Sequence, residues 1–311
     1  MGSSLASLIE PPPGIDHRFV ESNGMRFHVA ECGTGDKLAL FLHGFPEFWY
    51  SWRHQLPLLA RLGYRAWAPD LRGYGKSDRP ARVEDYAIEK LVEDVAGLID
   101  AAPARETVLI AHDWGGIIAW AFAMRRPRPL ARLVVMNLPH PACFDREFRT
   151  WRQFRRSWYA LLFQLPRLPE ALLRARGYRA IGEAFCGSAV DKSRFPDEVL
   201  QIYRESAARP GALTAMVNYY RAFGRGGGGA RQRARGYPRI DVPTLLIWGE
   251  EDVALCKETT FGTEEYVRDL TVRYLPHVSH WVQQEAPEVV NAMLEAFVSG
   301  SLVPEAGEIK T

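Results

Sequence analysis

The chain has 311 residues and 47% hydrophobic content, enough for one large domain or one domain with an insertion. Its 39 Lys and Arg nearly balance 37 Asp and Glu, a formal +2, so no overall field draws it to DNA, RNA or an acidic membrane. Cys32, Cys143, Cys186 and Cys256 form no C-x-x-C pair, which argues against zinc and a redox dithiol, and no apolar run approaches the ~20 residues that span a bilayer.

The N-terminus lacks a basic stretch followed by an apolar one, so no signal peptide is expected, and Ala6 after Met1-Gly2 breaks the myristoylation pattern. These features predict a cytoplasmic protein, monomer or homodimer, without membrane insertion. Arg18 to Glu31 alternates polar and apolar residues around Asn23-Gly24, the pattern of an antiparallel hairpin at a sheet edge. Short continuous apolar runs follow at Leu38–Leu42, Tyr64–Pro69, Thr107–Ala111, Arg132–Met136 and Thr244–Trp248. Such runs, each closed by turn residues, read as buried parallel strands. Thr271–Leu275 alternates more and belongs nearer an edge. Glu89–Asp100 and Gly116–Met124 read as helices between strands. The fold class is therefore α/β, a mostly parallel sheet flanked by helices.

From Pro139 to Arg235 the pattern changes to Arg, Trp, Tyr and Leu at helical spacings, broken by Pro166, Pro169 and Pro196. This predicts a helical lid over the ligand crevice, giving a core of residues 1–138 and 240–311 and a cap of 139–239. Gly224 to Gly229 satisfies G-x-G-x-x-G but follows no strand, so it reads as a flexible return to the core rather than a dinucleotide loop. Gly75-Lys76-Ser77 lacks the glycine a phosphate loop needs, because position 70 is Asp70. The arginine clusters Arg149–Arg156 and Arg221–Arg239 stand beside no nucleic-acid motif and read as solvated faces.

Val108 to Ile118 carries the chemistry. An apolar strand runs through Ala111-His112-Asp113-Trp114-Gly115-Gly116 into a helix, the pattern of a nucleophile elbow with Asp113 where a serine would stand. A carboxylate there attacks saturated carbon by displacement and leaves an ester on the enzyme, which water then hydrolyses. That favours epoxides or carbon–halogen bonds over acyl substrates. The competing reading is that Asp113 only caps the helix. Ester hydrolysis needs a base, and His280, after the last strand, follows the chain order nucleophile, acid, base; His277 is read as structural. Of Glu250, Glu251 and Asp252 after the strand at Thr244, Asp252 is chosen as the orienting acid. The other common acid position holds Asn137, which cannot serve as one. Two backbone N–H groups should hold the oxyanion, from Trp114 and from Phe45 in the loop that begins His43-Gly44. Phe45, Trp114, Trp281 and the lid tryptophans are expected to line an apolar pocket. No cofactor motif and no metal-ligand cluster appears.

His43-Gly-Phe-Pro-Glu47 with Trp49-Tyr-Ser-Trp-Arg53, Asp70-Leu-Arg-Gly-Tyr-Gly-Lys-Ser77 and His112-Asp-Trp-Gly-Gly116 resemble the corresponding motifs of soluble-type epoxide hydrolases of the α/β-hydrolase fold. The resemblance runs from about Asp16 to Gly300. It implies two lid tyrosines that bind and protonate the epoxide oxygen. Ser157 to Pro166 is similar to the first tyrosine segment and maps it to Tyr159, and Asn218-Tyr219-Tyr220-Arg221 maps the second to Tyr220, with Tyr219 as a packing residue. The implied partners are a small apolar epoxide and water. Haloalkane dehalogenases share the fold and an elbow Asp, but commonly carry Asn where this chain has Phe45. Fluoroacetate dehalogenases need arginines beside the elbow, where this chain has Trp114 and Ile117. A non-enzymatic receptor on the same fold is the third alternative.

Overall fold

The computed structural model describes residues 14–309. The readings at Met1-Gly2 and Ala6 lie outside them. The strands are β1 (Asp16–Ser22), β2 (Met25–Cys32), β3 (Lys37–Leu42), β4 (Tyr64–Pro69), β5 (Glu106–His112), β6 (Arg132–Met136), β7 (Thr244–Gly249) and β8 (Leu270–Leu275). They form one eight-stranded sheet in the order β1-β2-β4-β3-β5-β6-β7-β8. Asn23 and Gly24 both take positive φ, which fits the tight turn of the β1–β2 hairpin, and Ser22 pairs with Met25 across it. β2 meets β4 antiparallel; every later pairing is parallel. The central strands carry continuous apolar runs because neither face meets water there: Leu38 to Leu42 and Leu245 to Trp248 are fully buried. β8 closes the far edge and is only partly buried.

Helices α1 (Leu56–Arg61), α2 (Ile88–Ala101) and α3 (Trp114–Arg125) separate the strands of the first half and pack against the sheet. Between β6 and β7 the chain is helical: α4 (Pro141–Glu147), α5 (Trp151–Arg156), α6 (Trp158–Leu162), α7 (Leu168–Cys186), α8 (Asp197–Ala208), α9 (Ala212–Phe223) and α10 (Gly228–Arg235). After β8 come α11 (Val282–Glu285) and α12 (Pro287–Val298), the latter beside α1. α7 is broken at 175–178, where Arg176, Gly177 and Tyr178 take positive φ. Of the glycine run expected as a flexible return, residues 224–227 form a turn, while Gly228 and Gly229 open α10. Gly227 supplies the left-handed turn that opens it, and Arg231 and Arg235 reach Glu89 on α2 while Arg233 reaches Asp145.

Candidate active site

Asp113 sits between β5 and α3 with φ 47 and ψ −119, a strained conformation for a residue with a Cβ. Its neighbours have to be small. A Cβ on Gly115 would stand 2.1 Å from the Leu42 carbonyl oxygen, and one on Gly116 would stand 2.8 Å from Leu138 Cβ. Although Asp113 immediately precedes α3, its side chain makes no capping hydrogen bond, so the carboxylate is not spent on the helix. Instead Oδ1 accepts the Phe45 N–H at 2.8 Å. The loop after β3 comes so close that a Cβ on Gly44 would lie 2.5 Å from that oxygen. Trp114 opens α3; among the described residues its N–H makes no hydrogen bond to the carboxylate. Burial alone would raise the Asp113 carboxyl, but the His280 and His112 rings and the Phe45 N–H outweigh it and hold the group below its ordinary range.

His280, in the loop after β8, turns Nε2 toward Asp113 Oδ2 at 3.7 Å and Nδ1 toward Asp252 Oδ2 at 2.7 Å. Asp252 follows β7, and its other oxygen accepts the N–H groups of Ala254 and Leu255 at 2.8 and 3.0 Å. Burial works against a charged imidazole, yet the two carboxylates, Asp252 foremost, raise the His280 pKa to about 10. Burial also opposes the Asp252 charge, but His280, Asn137 and Leu255 hold its carboxyl below the usual range. The competing carboxylates lie elsewhere: Glu250 is bound by Lys257, and Glu251 is exposed. His277 is exposed, in a left-handed turn.

Tyr159 on α6 and Tyr220 on α9 bring their rings to 6.0 Å of each other. Tyr220 is edge-on to Trp114 at 4.9 Å, to Phe163 at 4.8 Å and to Phe45 at 5.5 Å. Burial first, with the Asp113 carboxylate adding to it, pushes both phenols well above their ordinary pKa, so they stay protonated at neutral pH. The hydroxyl of neighbouring Tyr219 instead donates to the Arg72 carbonyl at 2.8 Å. Trp281 lies edge-on to His280 at 4.8 Å, and its N–H is fixed by Ser188 at 2.9 Å. One expectation is corrected. The tryptophans Trp151 and Trp158 of the expected lid point outward, and the inward positions are taken by Gln153 on α5 and by Phe163, just after α6.

Residues 39–283 match the α/β hydrolase fold family. The chain is 38% identical to the AB hydrolase superfamily protein YfhM of Bacillus subtilis, over 90% of this chain and 97% of that one. It is 36% identical to Epoxide hydrolase 2 of Caenorhabditis elegans, over 95% of this chain and 83% of the relative. The crystal structure of the Bacillus megaterium epoxide hydrolase bound to an inhibitor superimposes with a TM-score of 0.83 at 32% identity, covering 91% of this chain and all of that one. The chain belongs to the epoxide hydrolase family. It is thus a hydrolase, and no helix among its described residues is long and apolar enough to cross a membrane.

Three further features of this family member escaped the sequence reading. Asn137, just after β6, donates to Asp252 Oδ2 at 2.7 Å and accepts the Gly249 N–H at 2.9 Å, so the residue excluded as the acid braces Asp252. Glu47 and His112 form a fully buried pair, His112 Nδ1 lying 2.7 Å from Glu47 Oε2. The other His112 nitrogen faces the His280 carbonyl at 2.9 Å, and Glu47 also accepts from the Gly44 N–H, Gln283 and Gln284. The pair therefore links the Phe45 loop, the elbow and the His280 loop. Both residues lay inside recognisable motifs, but their partners are far apart in sequence. Asp70, in the loop after β4, is a comparable anchor: it meets His28 at 2.7 Å and accepts the Trp49 and Lys76 N–H groups. Gly75 is required there, since a Cβ would stand 1.9 Å from Asp70 Oδ2.

Proposed function

We propose that the protein opens apolar epoxides with water to vicinal diols through a covalent ester on Asp113. The observation that carries this is a carboxylate at a strained elbow, with one oxygen on the Phe45 N–H and the other 3.7 Å from His280. Residues 139–239 act as the cap that brings Tyr159 and Tyr220 over that carboxylate, and the rings of Phe45, Trp114 and Phe163 favour an uncharged, apolar substrate. Trp281 borders the pocket on the His280 side.

In the first step an Asp113 oxygen attacks a ring carbon. The carbon–oxygen bond breaks, its electron pair stays on the epoxide oxygen, and Tyr159 or Tyr220 supplies the proton that turns this alkoxide into an alcohol. Esterification removes the Asp113 charge that helped keep His280 protonated. His280 releases its proton to solvent and the phenolate takes one up from solvent, which restores the tyrosine and leaves His280 neutral. The neutral imidazole, held by Asp252, then takes a proton from water as the oxygen adds to the Asp113 carbonyl carbon. Phe45 and Trp114 N–H groups receive the oxyanion, a role Trp114 takes up only once the ester is tetrahedral. Collapse expels the diol, with the remaining proton of the added water going to its oxygen, and restores the Asp113 carboxylate beside a protonated His280.

The test is a panel of neutral epoxides and haloalkanes incubated with purified protein, with diol and halide assayed separately. Diol without halide is the expected result. Halide without diol would make the protein a dehalogenase and return Tyr159 and Tyr220 to packing, and tight binding of a small molecule with neither product would make it a receptor.

A further inference from the structure

The near-neutral charge of the whole chain conceals a one-sided stretch. From Phe148 to Pro169 there are five arginines, Arg149, Arg152, Arg155, Arg156 and Arg167, and no Asp, Glu or Lys. The same stretch turns large apolar side chains to water: Trp151 is 74% exposed and Trp158 62%, with Phe154, Leu161, Leu165 and Leu168 between 40% and 54%. These six are spread over α5, α6, the turn after α6 and the first residue of α7, so each of these consecutive pieces leaves an apolar side chain in water. The ring of Trp151 stacks on Phe154 at 6.0 Å. Gln153, Ser157 and Phe163 take the inward positions and are buried. Arg152 is held by Glu258, and Arg156 by the Asp252 and Leu255 carbonyls. Arg149, Arg155 and Arg167 are exposed and make no ion pair among the described residues.

We propose that this face of the cap docks on an anionic lipid bilayer. Six large apolar side chains left in water within one short stretch, beside unpaired arginines, are the mark of an interaction surface. Its charge selects the partner. A second copy would set more unpaired arginines against these, whereas acidic headgroups neutralise them while tryptophan rings settle at headgroup level. Binding is peripheral, through shallow immersion of short helices. It also has a use: Trp158 is adjacent to Tyr159, so the docked surface is the outer side of the helix that carries Tyr159, and an apolar substrate concentrates in the bilayer it touches. That use rests on the proposed activity; the docking does not.

The test floats the full chain with vesicles of phosphatidylcholine alone or mixed with phosphatidylglycerol, a readout independent of turnover. The expected result is binding to the mixed vesicles, weakened by salt, with a blue shift of tryptophan emission. Each arginine near an anionic surface contributes about fivefold to binding, so Arg155→Glu with Arg167→Glu should weaken it more than about 25-fold. Trp151→Ser with Leu165→Ser should abolish it with an unchanged circular dichroism spectrum. Equal binding to neutral vesicles, or no binding to either, would overturn the proposal. So would a dimer in analytical ultracentrifugation that Trp151→Ser dissociates.

Discussion

Replacing Asp113 by Asn leaves the shape of the elbow but removes one of the two charges that keep His280 protonated. In the intact protein His280 Nε2 lies 3.7 Å from Asp113 Oδ2, and its pKa is raised to about 10. Two unit charges at that separation attract by about 4.5 kcal/mol at an effective dielectric constant of about 20. At 1.36 kcal/mol per pH unit this is worth about 3 pH units, so Asp113→Asn should bring His280 to about 7. In the proposed scheme an alkyl ester on Asp113 would be equally neutral, and the same arithmetic would make His280 a competent base only after the ester forms. NMR titration of nitrogen-labelled histidine would read both midpoints. A midpoint shared by wild type and variant, or a wild-type His280 already neutral at pH 7, would refute the reasoning. The stability consequence has a defined sign. Because the folded-state pKa is raised, the ion pair's contribution is complete below about pH 6.5 and fades as pH rises toward 10. Thermal stability of the wild type should therefore fall more than that of Asp113→Asn across this window.

Tyr159→Phe combined with Tyr220→Phe should slow epoxide opening by about 10²–10⁴ while the fold melts cooperatively; diol release at an unchanged rate would assign both rings to packing. Gly44→Ala sets a Cβ 2.5 Å from Asp113 Oδ1, so the loop carrying the Phe45 N–H has to retreat, and kcat should drop by about 10²–10³. A normal kcat would show that this N–H is dispensable. Asn137→Ala strips a donor from buried Asp252 and should cost about 1–3 kcal/mol in stability, measured by denaturant unfolding. It should also slow ester hydrolysis more than ester formation in single-turnover experiments; equal slowing would make Asn137 purely structural.

The sheet was legible because its central strands are buried on both faces over most of their length and therefore carry short apolar runs, and the Asn23-Gly24 turn announced the edge hairpin. The meeting of Asp113, Asp252 and His280 could be read from where each follows a strand, since strand ends in a parallel sheet converge. Partners set by long-range packing were not legible. Asn137 and Asp252 are 115 residues apart, and an amide in the acid's alternative position reads as an absence until the bracing hydrogen bond is seen. Glu47 and His112 look like motif letters until their burial shows a shared network. The lid tryptophans misled because α5 and α6 are too short for periodicity to say which side faces inward. The glycine run misled because Gly228 and Gly229 join α10, whose arginines are anchored by Glu89 and Asp145 on other elements.

The most direct test of Asp113 as nucleophile is to run many turnovers on an epoxide in water enriched in the heavy oxygen isotope, then to weigh the peptide that contains Asp113. Hydrolysis of an Asp113 ester at its carbonyl carbon predicts heavy oxygen in that carboxylate. Diol formation with an unlabelled Asp113 would mean that water attacks the epoxide directly, and the covalent scheme would be wrong.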